Sequence, residues 1–270
     1  MRCLVTGGAG FIGSHVAEAC LAAGHQVTIV DNLVRGSRAN LPRAARFVKA
    51  DIGSKRAFDL VVAERPEVIF HFAAQIDVRR SVADPAYDVK VNVLGSLNLM
   101  EAGRQAGLKR IVFSSTGGAI YGEQDVYPCD ETHRCDPVSP YGASKLAVEK
   151  YLGFYRAQYG IEVVNLRYAN VYGPRQDPHG EAGVVAIFAR RLIEGKSCTI
   201  FGDGKQTRDY VYVADVAAAN MAALTAPSGC YNIGTGVETD VNGLYARLAK
   251  AAGVTRPPEY APVKPGEQRR

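Results

Sequence analysis

No apolar run in the sequence approaches the roughly 20 residues that a membrane-spanning helix needs, so none is expected. The first residues, Met1 to Gly7, reach glycine too soon to form the apolar core of a secretion signal. None of the six cysteines stands in a C-x-x-C pair, and His15, His25, His71, His133 and His179 have no ligand spacing, so no metal is expected. Without a secretion signal, reduced thiols and a cytoplasmic location are the expectation. The one dense basic cluster, Arg269-Arg270, is too small for a nucleic-acid surface, so neither nucleic acid nor membrane is an expected partner. Internal repeats and low-complexity tracts are absent as well.

What is present is an ordinary globular composition, with 270 residues, 47% hydrophobic and 22% charged. That length predicts one large domain or two lobes. The net charge of +5, from 32 basic and 27 acidic residues, suits a small anionic ligand.

Short apolar runs alternate with longer amphipathic stretches. Strands are predicted at 2–6, 26–30, 46–50, 67–72, 110–114 and 161–167, and helices at 11–23, 54–64, 85–106 and 140–159. This order predicts an α/β fold, a doubly wound parallel sheet with helices on both faces and a ligand beyond the carboxyl ends of its strands. After residue 167 the rhythm breaks. Residues 168–183 read as loop, 184–194 as helix and 198–201 as a short strand. Asp215 is expected to cap a helix at 216–224, and 231–233 reads as a further strand. The four prolines of 256–270 read as a loop ending in the open, which predicts a longer natural chain with a truncated C-terminal lobe. Residues 1–167 are expected to form the nucleotide-binding domain, with 209–236 returning to it, and 168–208 and 237–270 a smaller lobe.

Gly7, Gly10 and Gly13 follow the first strand and open the first helix, with Phe11 and Ile12 between them. Gly7 permits a tight turn, Gly10 lets a pyrophosphate approach backbone, and Gly13 lets the helix pack close to the sheet. The helix N-terminus offers free N–H groups and partial positive charge to phosphates. Asp31, beside Asn32 at the end of the second strand, suits the ribose hydroxyls of NAD and repels a 2′-phosphate. Arg35 and Arg38 keep NADP as the alternative. Asp51 and Ile52 end the third strand, where Asp51 could accept from adenine. Phe72, Ala73 and Ala74 end the fourth with small residues over which a cofactor could lie.

Tyr141 and Lys145 stand four apart at the start of a helix, so the phenol and ammonium share a face. A lysine cation nearby, together with the positive nicotinamide ring, would lower the phenol's pKa and make it a general base for an alcohol. The run Ser114-Ser115-Thr116 ends the strand before that helix, and one of its hydroxyls could hold the reacting oxygen.

Together these motifs resemble the extended short-chain dehydrogenase/reductase superfamily, and within it the UDP-sugar 4-epimerases. The resemblance extends through His71–Ala74, Asn92, Leu166–Asn170, Thr207–Val211 and Pro265–Glu267, nearly the whole chain. It implies a Rossmann-type sheet with a substrate-binding C-terminal lobe and a tightly held NAD. Implied activity is C4 epimerisation of a UDP-hexose, UDP-glucose and UDP-galactose first, by hydride removal, rotation of the 4-keto sugar and hydride return. UDP-glucuronate or N-acetylhexosamine epimerisation are alternatives, with 4,6-dehydration or decarboxylation behind them, and an NAD-sensing regulator as the non-enzyme reading.

By resemblance Asn92, Ser114 and Tyr168 flank the cofactor together with Tyr141 and Lys145. Asn170 and Arg208 meet the substrate diphosphate, and Glu267 the uridine ribose. Thr116 and Tyr141 meet the sugar. The run from the serines to the next Tyr-Gly, Ser114–Tyr121, is one residue longer here than is usual in the family, so Gly117-Gly118 supply added flexibility, Thr116 is the preferred hydroxyl and Ser115 the reserve. Ile76 replaces a usual lysine, and the carboxylates that dehydratases need after the serines are absent. Helices 85–106 and 140–159 are apolar on more than one face, through Val89, Val91, Val93, Leu94, Leu97, Leu99 and Met100 in the first. Such helices need a second covering surface, and a homodimer packed through them is expected.

Overall fold

A computed structural model describes residues 1–178, 183–263 and 269. The chain divides into two compact units, Met1–Tyr168 with Val213–Ile233, and Ala169–Tyr212 with Gly234–Arg270.

In the first unit the chain runs β1 (Arg2–Thr6), α1 (Phe11–Ala22), β2 (Gln26–Asp31), β3 (Arg46–Lys49), α2 (Lys55–Glu64) and β4 (Val68–His71). It continues through α3 (Val78–Ala83), α4 (Pro85–Val89), a π-helical turn (Lys90–Leu94), α5 (Gly95–Ala106), β5 (Arg110–Thr116), α6 (Gly117–Ile120), α7 (Pro140–Tyr159) and β6 (Glu162–Tyr168). The second unit opens with β7 (Asn170–Tyr172), α8 (Val184–Ile193), β8 (Thr199–Phe201) and β9 (Thr207–Tyr212). The chain then returns to the first unit with α9 (Val213–Ala222) and β10 (Gly229–Ile233), and closes the second with β11 (Glu238–Asp240), α10 (Val241–Ala251) and β12 (Glu259–Ala261).

The first unit's sheet has the order β10-β6-β5-β4-β1-β2-β3, every pair parallel. Buried strands need apolar residues on both faces. Leu4, Val30, Ile69, Ile111, Phe113 and Val163 join the buried residues of α2, α5 and α7 in one cluster. The alternate positions Val5, Ile29, Phe70 and Val112 are equally buried and face the other way, where α1 packs with α9. Strand order reverses between β1 and β4, so their carboxyl ends frame the crevice where such sheets take ligands.

In the second unit β9 pairs in parallel with β7 and antiparallel with β11, while β8 pairs with β12. Phe188 and Leu192 of α8 and Val241, Tyr245 and Ala249 of α10 bury Ile200 of β8.

Several expectations need correction. The stretch expected as a helix over 85–106 is helical throughout, but the π turn widens it, and beside that turn Ser96 Oγ donates to the carbonyl of Asn92 at 2.5 Å while the Asn92 amide reaches Gln75 O. Asp215 lies inside the first turn of α9 and does not cap a later helix. An acid is favoured anywhere in that turn by the helix dipole, so its presence does not mark the boundary. The stretch 168–183 contains β7, and 256–270 contains β12. Residues 209–212 belong to the second unit because β9 completes a sheet there. Helix α10 was not anticipated, although Asp240 caps it by accepting from Gly243 N at 2.6 Å.

Candidate active site

The turn from β1 into α1 has the form of an anion cradle. Gly7 has φ +69°, and a Cβ there would stand 2.7 Å from Ala73 N, at the end of β4. A Cβ on Gly13 would stand 2.4 Å from Gly7 O. Both positions therefore exclude any side chain. Gly10 is the N-cap of α1; no side chain caps the helix and no acid lies in its first turn. Three features thus converge on a bound phosphate: close backbone, unclaimed N–H groups of Phe11, Ile12 and Gly13, and the positive end of the helix dipole. The residues present fit a dinucleotide.

Asp31 ends β2, where its Oδ2 accepts from Ala9 N at 3.1 Å and its Oδ1 from Leu33 N at 2.8 Å. It ties the glycine turn to the β2 loop and keeps lone pairs for further donors. Asn32 donates to Asp51 Oδ2 at 3.0 Å, and Asp51 Oδ1 accepts from Gly53 N at 2.9 Å, so these two brace one another across neighbouring strand ends. Ile52 is buried against Gly95, whose added Cβ would meet it at 2.8 Å. Arg35 pairs with Asp77 at 3.4 Å, and the Arg38 guanidinium lies 5.2 Å from the centroid of Phe47. The two arginines that kept NADP open are thereby engaged elsewhere.

At the end of β4, Thr6 Oγ1 accepts from Ala73 N at 3.2 Å and lies 2.7 Å from His71 Nδ1. His71 Nε2 lies 2.8 Å from Ser96 Oγ, whose own proton goes to the Asn92 carbonyl. Nε2 therefore carries the imidazole proton and Nδ1 accepts from Thr6. Burial, then the Lys145 charge, hold this imidazole down to about 3. Phe72 and Ala74, half-buried, complete the strand end.

Helix α7 begins at Pro140, and its N-cap Ser139 accepts from Gly142 N at 3.1 Å. Tyr141 N donates to Ser81 Oγ at 3.2 Å, which fixes the first turn on α3. Gly142 is required because a Cβ there would stand 2.3 Å from Ala119 O of α6. One turn on, Lys145 is buried, donates to Ser114 O at 2.8 Å and has Nζ 5.9 Å from the Tyr141 ring centroid and 4.7 Å from that of Phe113. The expected phenol and ammonium do share a face of α7.

Burial governs the electrostatics of both groups in the chain alone. Burial and then the Asp88 carboxylate push the Tyr141 phenol above its ordinary value. Burial brings the Lys145 ammonium down to about 8, against the pull of Asp88 and Glu149. Desolvation outweighs the cation, so the chain's own groups do not lower the tyrosine.

The three hydroxyls at the end of β5 part company because side chains alternate along a strand. Ser115 donates to Glu149 Oε1 at 2.6 Å, and Glu149 forms a buried pair with Arg167 at 2.7 Å. Ser115, the reserve hydroxyl, therefore faces away from Ser114 and Thr116. Thr116 closes β5 and makes no side-chain hydrogen bond to a described residue. The two glycines after it, expected as added flexibility, begin the helical turn α6. Tyr168 is buried, its phenol accepting from Asn220 Nδ2 at 2.8 Å and bonded to the Ser114 hydroxyl.

Sequence reading missed the network beneath these groups. Asn92 Oδ1 accepts from Gln75 N at 2.8 Å, and its Nδ2 donates to Gln75 O at 2.9 Å and Asp88 Oδ1 at 3.0 Å. Its side chain thus holds the loop after β4, and both ends of its amide are taken. The other Asp88 oxygen accepts from Ser144 Oγ at 2.5 Å. The available signal was polar residues at the helical spacing Asp88–Asn92–Ser96 inside an otherwise apolar stretch.

In the second unit Asn170 begins β7 opposite Tyr210 of β9, and Arg208 lies on β9 opposite Thr239 of β11. Arg208 Nη1 donates to Thr207 O at 2.6 Å. The neighbouring Asp209 accepts from Thr235 N at 2.7 Å and Gly236 N at 2.9 Å, which pins the turn into β11. Glu267 lies outside the described residues.

Residues 3–234 match the model of the NAD dependent epimerase/dehydratase family. A UDP-glucose 4-epimerase of Mycolicibacterium smegmatis is 49% identical over 278 residues, covering 100% of this chain and 88% of its own. The crystal structure of a Thermotoga maritima UDP-glucose 4-epimerase with UDP-glucose matches with TM-score 0.96 and 49% identity over 98% of this chain and 87% of that one. A Thermus thermophilus UDP-glucose 4-epimerase in complex with NAD matches with TM-score 0.93 and 50% identity, covering 99% and 88%.

Proposed function

The chain belongs to the NAD-dependent epimerase/dehydratase family, and from that premise we propose that it inverts C4 of a UDP-hexose, interconverting UDP-glucose and UDP-galactose. Carrying this reading is the start of α7, where Tyr141 and Lys145 share a face and Lys145 binds the Ser114 carbonyl at the end of β5. NAD, which the glycine cradle and Asp31 would hold, would supply hydride acceptance and return at C4 and a positive charge.

The chain's own groups manage the proton and the orientation. Tyr141 Oη takes the proton of the sugar 4-hydroxyl and later restores it, so no net proton leaves the site. The Thr116 hydroxyl holds O4. Lys145, about 8, is still largely an ammonium ion at neutral pH and offsets the cost of a buried phenolate. The cradle of Gly7, Gly10 and Gly13 receives the cofactor's pyrophosphate, and Asp31 its adenosine ribose. Family resemblance alone assigns Asn170 and Arg208 to the substrate diphosphate, a task that suits the guanidinium's planar fork.

The test is proton NMR of the protein with UDP-galactose in deuterated water and no added NAD. The expected product is the C4 epimer with its C4 hydrogen retained. A 4-keto product carrying solvent deuterium would overturn the reading.

We also infer a homodimer packed through the helical stretch 85–106 and α7. Leu94, Tyr151, Phe154 and Tyr159 remain 46 to 55% exposed on the single chain, more apolar surface than a lone helix pair ordinarily leaves to water. A monomer in light scattering would overturn this. We place the protein in the cytoplasm, since all six of its cysteines are free thiols.

A further inference from the structure

Asp88 is fully buried, at 0% exposure, yet among the described residues no cation pairs with it. Its oxygens accept from three neutral donors, Gln75 Nε2 at 3.2 Å, Asn92 Nδ2 at 3.0 Å and Ser144 Oγ at 2.5 Å. A buried carboxylate without an ion-pair partner is costly unless a charge nearby compensates it. Its donors come from two places. Gln75 and Asn92 belong to the loop after β4 and the π turn, whereas Ser144 adjoins Lys145 on α7. Both amides can only donate, so Oδ1 is an acceptor.

We propose that Asp88 is the counter-charge of the Tyr141–Lys145 pair, a positioning residue that ties α7 to the β4 loop and keeps Lys145 an ammonium ion. The proposal rests on the epimerase reading for its kinetic consequence only. Burial lowers Lys145, and of the two carboxylates that oppose this, Glu149 is already neutralised by Arg167. His71, which also faces Lys145, is neutral above about 3. Arg79, Arg80, Asp84 and Lys90, on the elements around Asp88, are exposed to water. Burial is the larger influence on both groups, and Asp88 is the charge acting on both that no cation among the described residues offsets. The Asp88 carboxylate raises the lysine and opposes ionisation of the tyrosine.

Asp88→Asn preserves shape and hydrogen bonding, because the Ser144 hydroxyl can turn to accept from the new amide, and removes only charge. The first readout is NMR titration of the lysine side chains in the full chain, with Lys145 identified by its loss in Lys145→Arg. The Lys145 midpoint should fall by about 1 pH unit. The second readout is the pH dependence of kcat, whose rising and falling limbs should both move to lower pH. An unmoved Lys145 midpoint, with kcat reduced equally at every pH, would reduce Asp88 to a structural tie and overturn the proposal.

Ser144→Ala keeps the charge and removes one donor, so the Lys145 midpoint should stay at or above the wild-type value; a fall would overturn the proposal. That variant decides alone if Asp88→Asn does not fold. The titration needs neither sugar nor NAD. A wild-type protein that fails to epimerise would sink the functional reading and leave the Asp88 result standing.

Discussion

At the residue scale, function and stability are set by groups that burial has moved from their solution behaviour. Tyr141 carries the proposed proton transfer, so Tyr141→Phe should lower kcat by about 10² to 10⁴ while leaving the fold unchanged by circular dichroism. A variant of undiminished activity would remove Tyr141 from the chemistry. His71 makes a separate, pH-linked contribution. Its folded value, about 3, is depressed below the ordinary 6.5. The unfolded chain therefore binds a proton that the folded chain refuses, and stability falls as pH drops from 6.5 towards 3. The slope from this one group approaches about 1.4 kcal/mol per pH unit. Urea unfolding at pH 7 and pH 5 measures it, and His71→Gln should flatten that part of the dependence.

Elements place these residues through their ends more than through their middles. Helix α7 starts where Ser139 caps it, Ser81 holds Tyr141 N and Gly142 passes Ala119 O without a side chain. Ser139→Ala should cost about 1 kcal/mol of stability, read by chemical denaturation. Gly142→Ala should do more harm to activity than to the other helices, because the backbone oxygen at 2.3 Å cannot give way without moving the first turn that carries Tyr141. Loss of kcat with retained helix content is the expected result. The π turn before α5 does for the loop after β4 what the cap does for α7. By adding a residue to the turn it brings Asn92, Ser96 and Asp88 inward together.

At the scale of the whole molecule, the first unit is made from two separate stretches of chain. Strand β10 is the edge partner of β6, and α9 covers α1, with Cys20 Sγ 3.7 Å from Met221 Sδ. A fragment ending at Tyr168 would lack both and expose α1 and the free edge of β6. It should aggregate or remain loosely packed, as size-exclusion chromatography and near-ultraviolet circular dichroism would reveal. A well-folded fragment would show that the return segment is dispensable.

The alternation of strands and helices, the glycine turn, Asp31 at a strand end and the one-turn offset of Tyr141 and Lys145 were legible in the sequence. Each is a local pattern, written in residues close together in the chain, where period, glycine spacing and a one-turn offset have direct geometric meaning. Helix α10 was equally local, with apolar positions one turn apart behind Asp240, and was overlooked. Only the tertiary structure decided what surrounds those residues. It turned Ser115 towards Glu149 and Arg167, brought Asp88 of α4 against Ser144 of α7, and joined β9 to a sheet in which its partners lie on both sides in sequence. It also showed that burial and Asp88, in the chain alone, hold the Tyr141 phenol above its ordinary value. Burial and long-range charge depend on which segments pack together, and a run of residues read in order carries no measure of how much water each will lose.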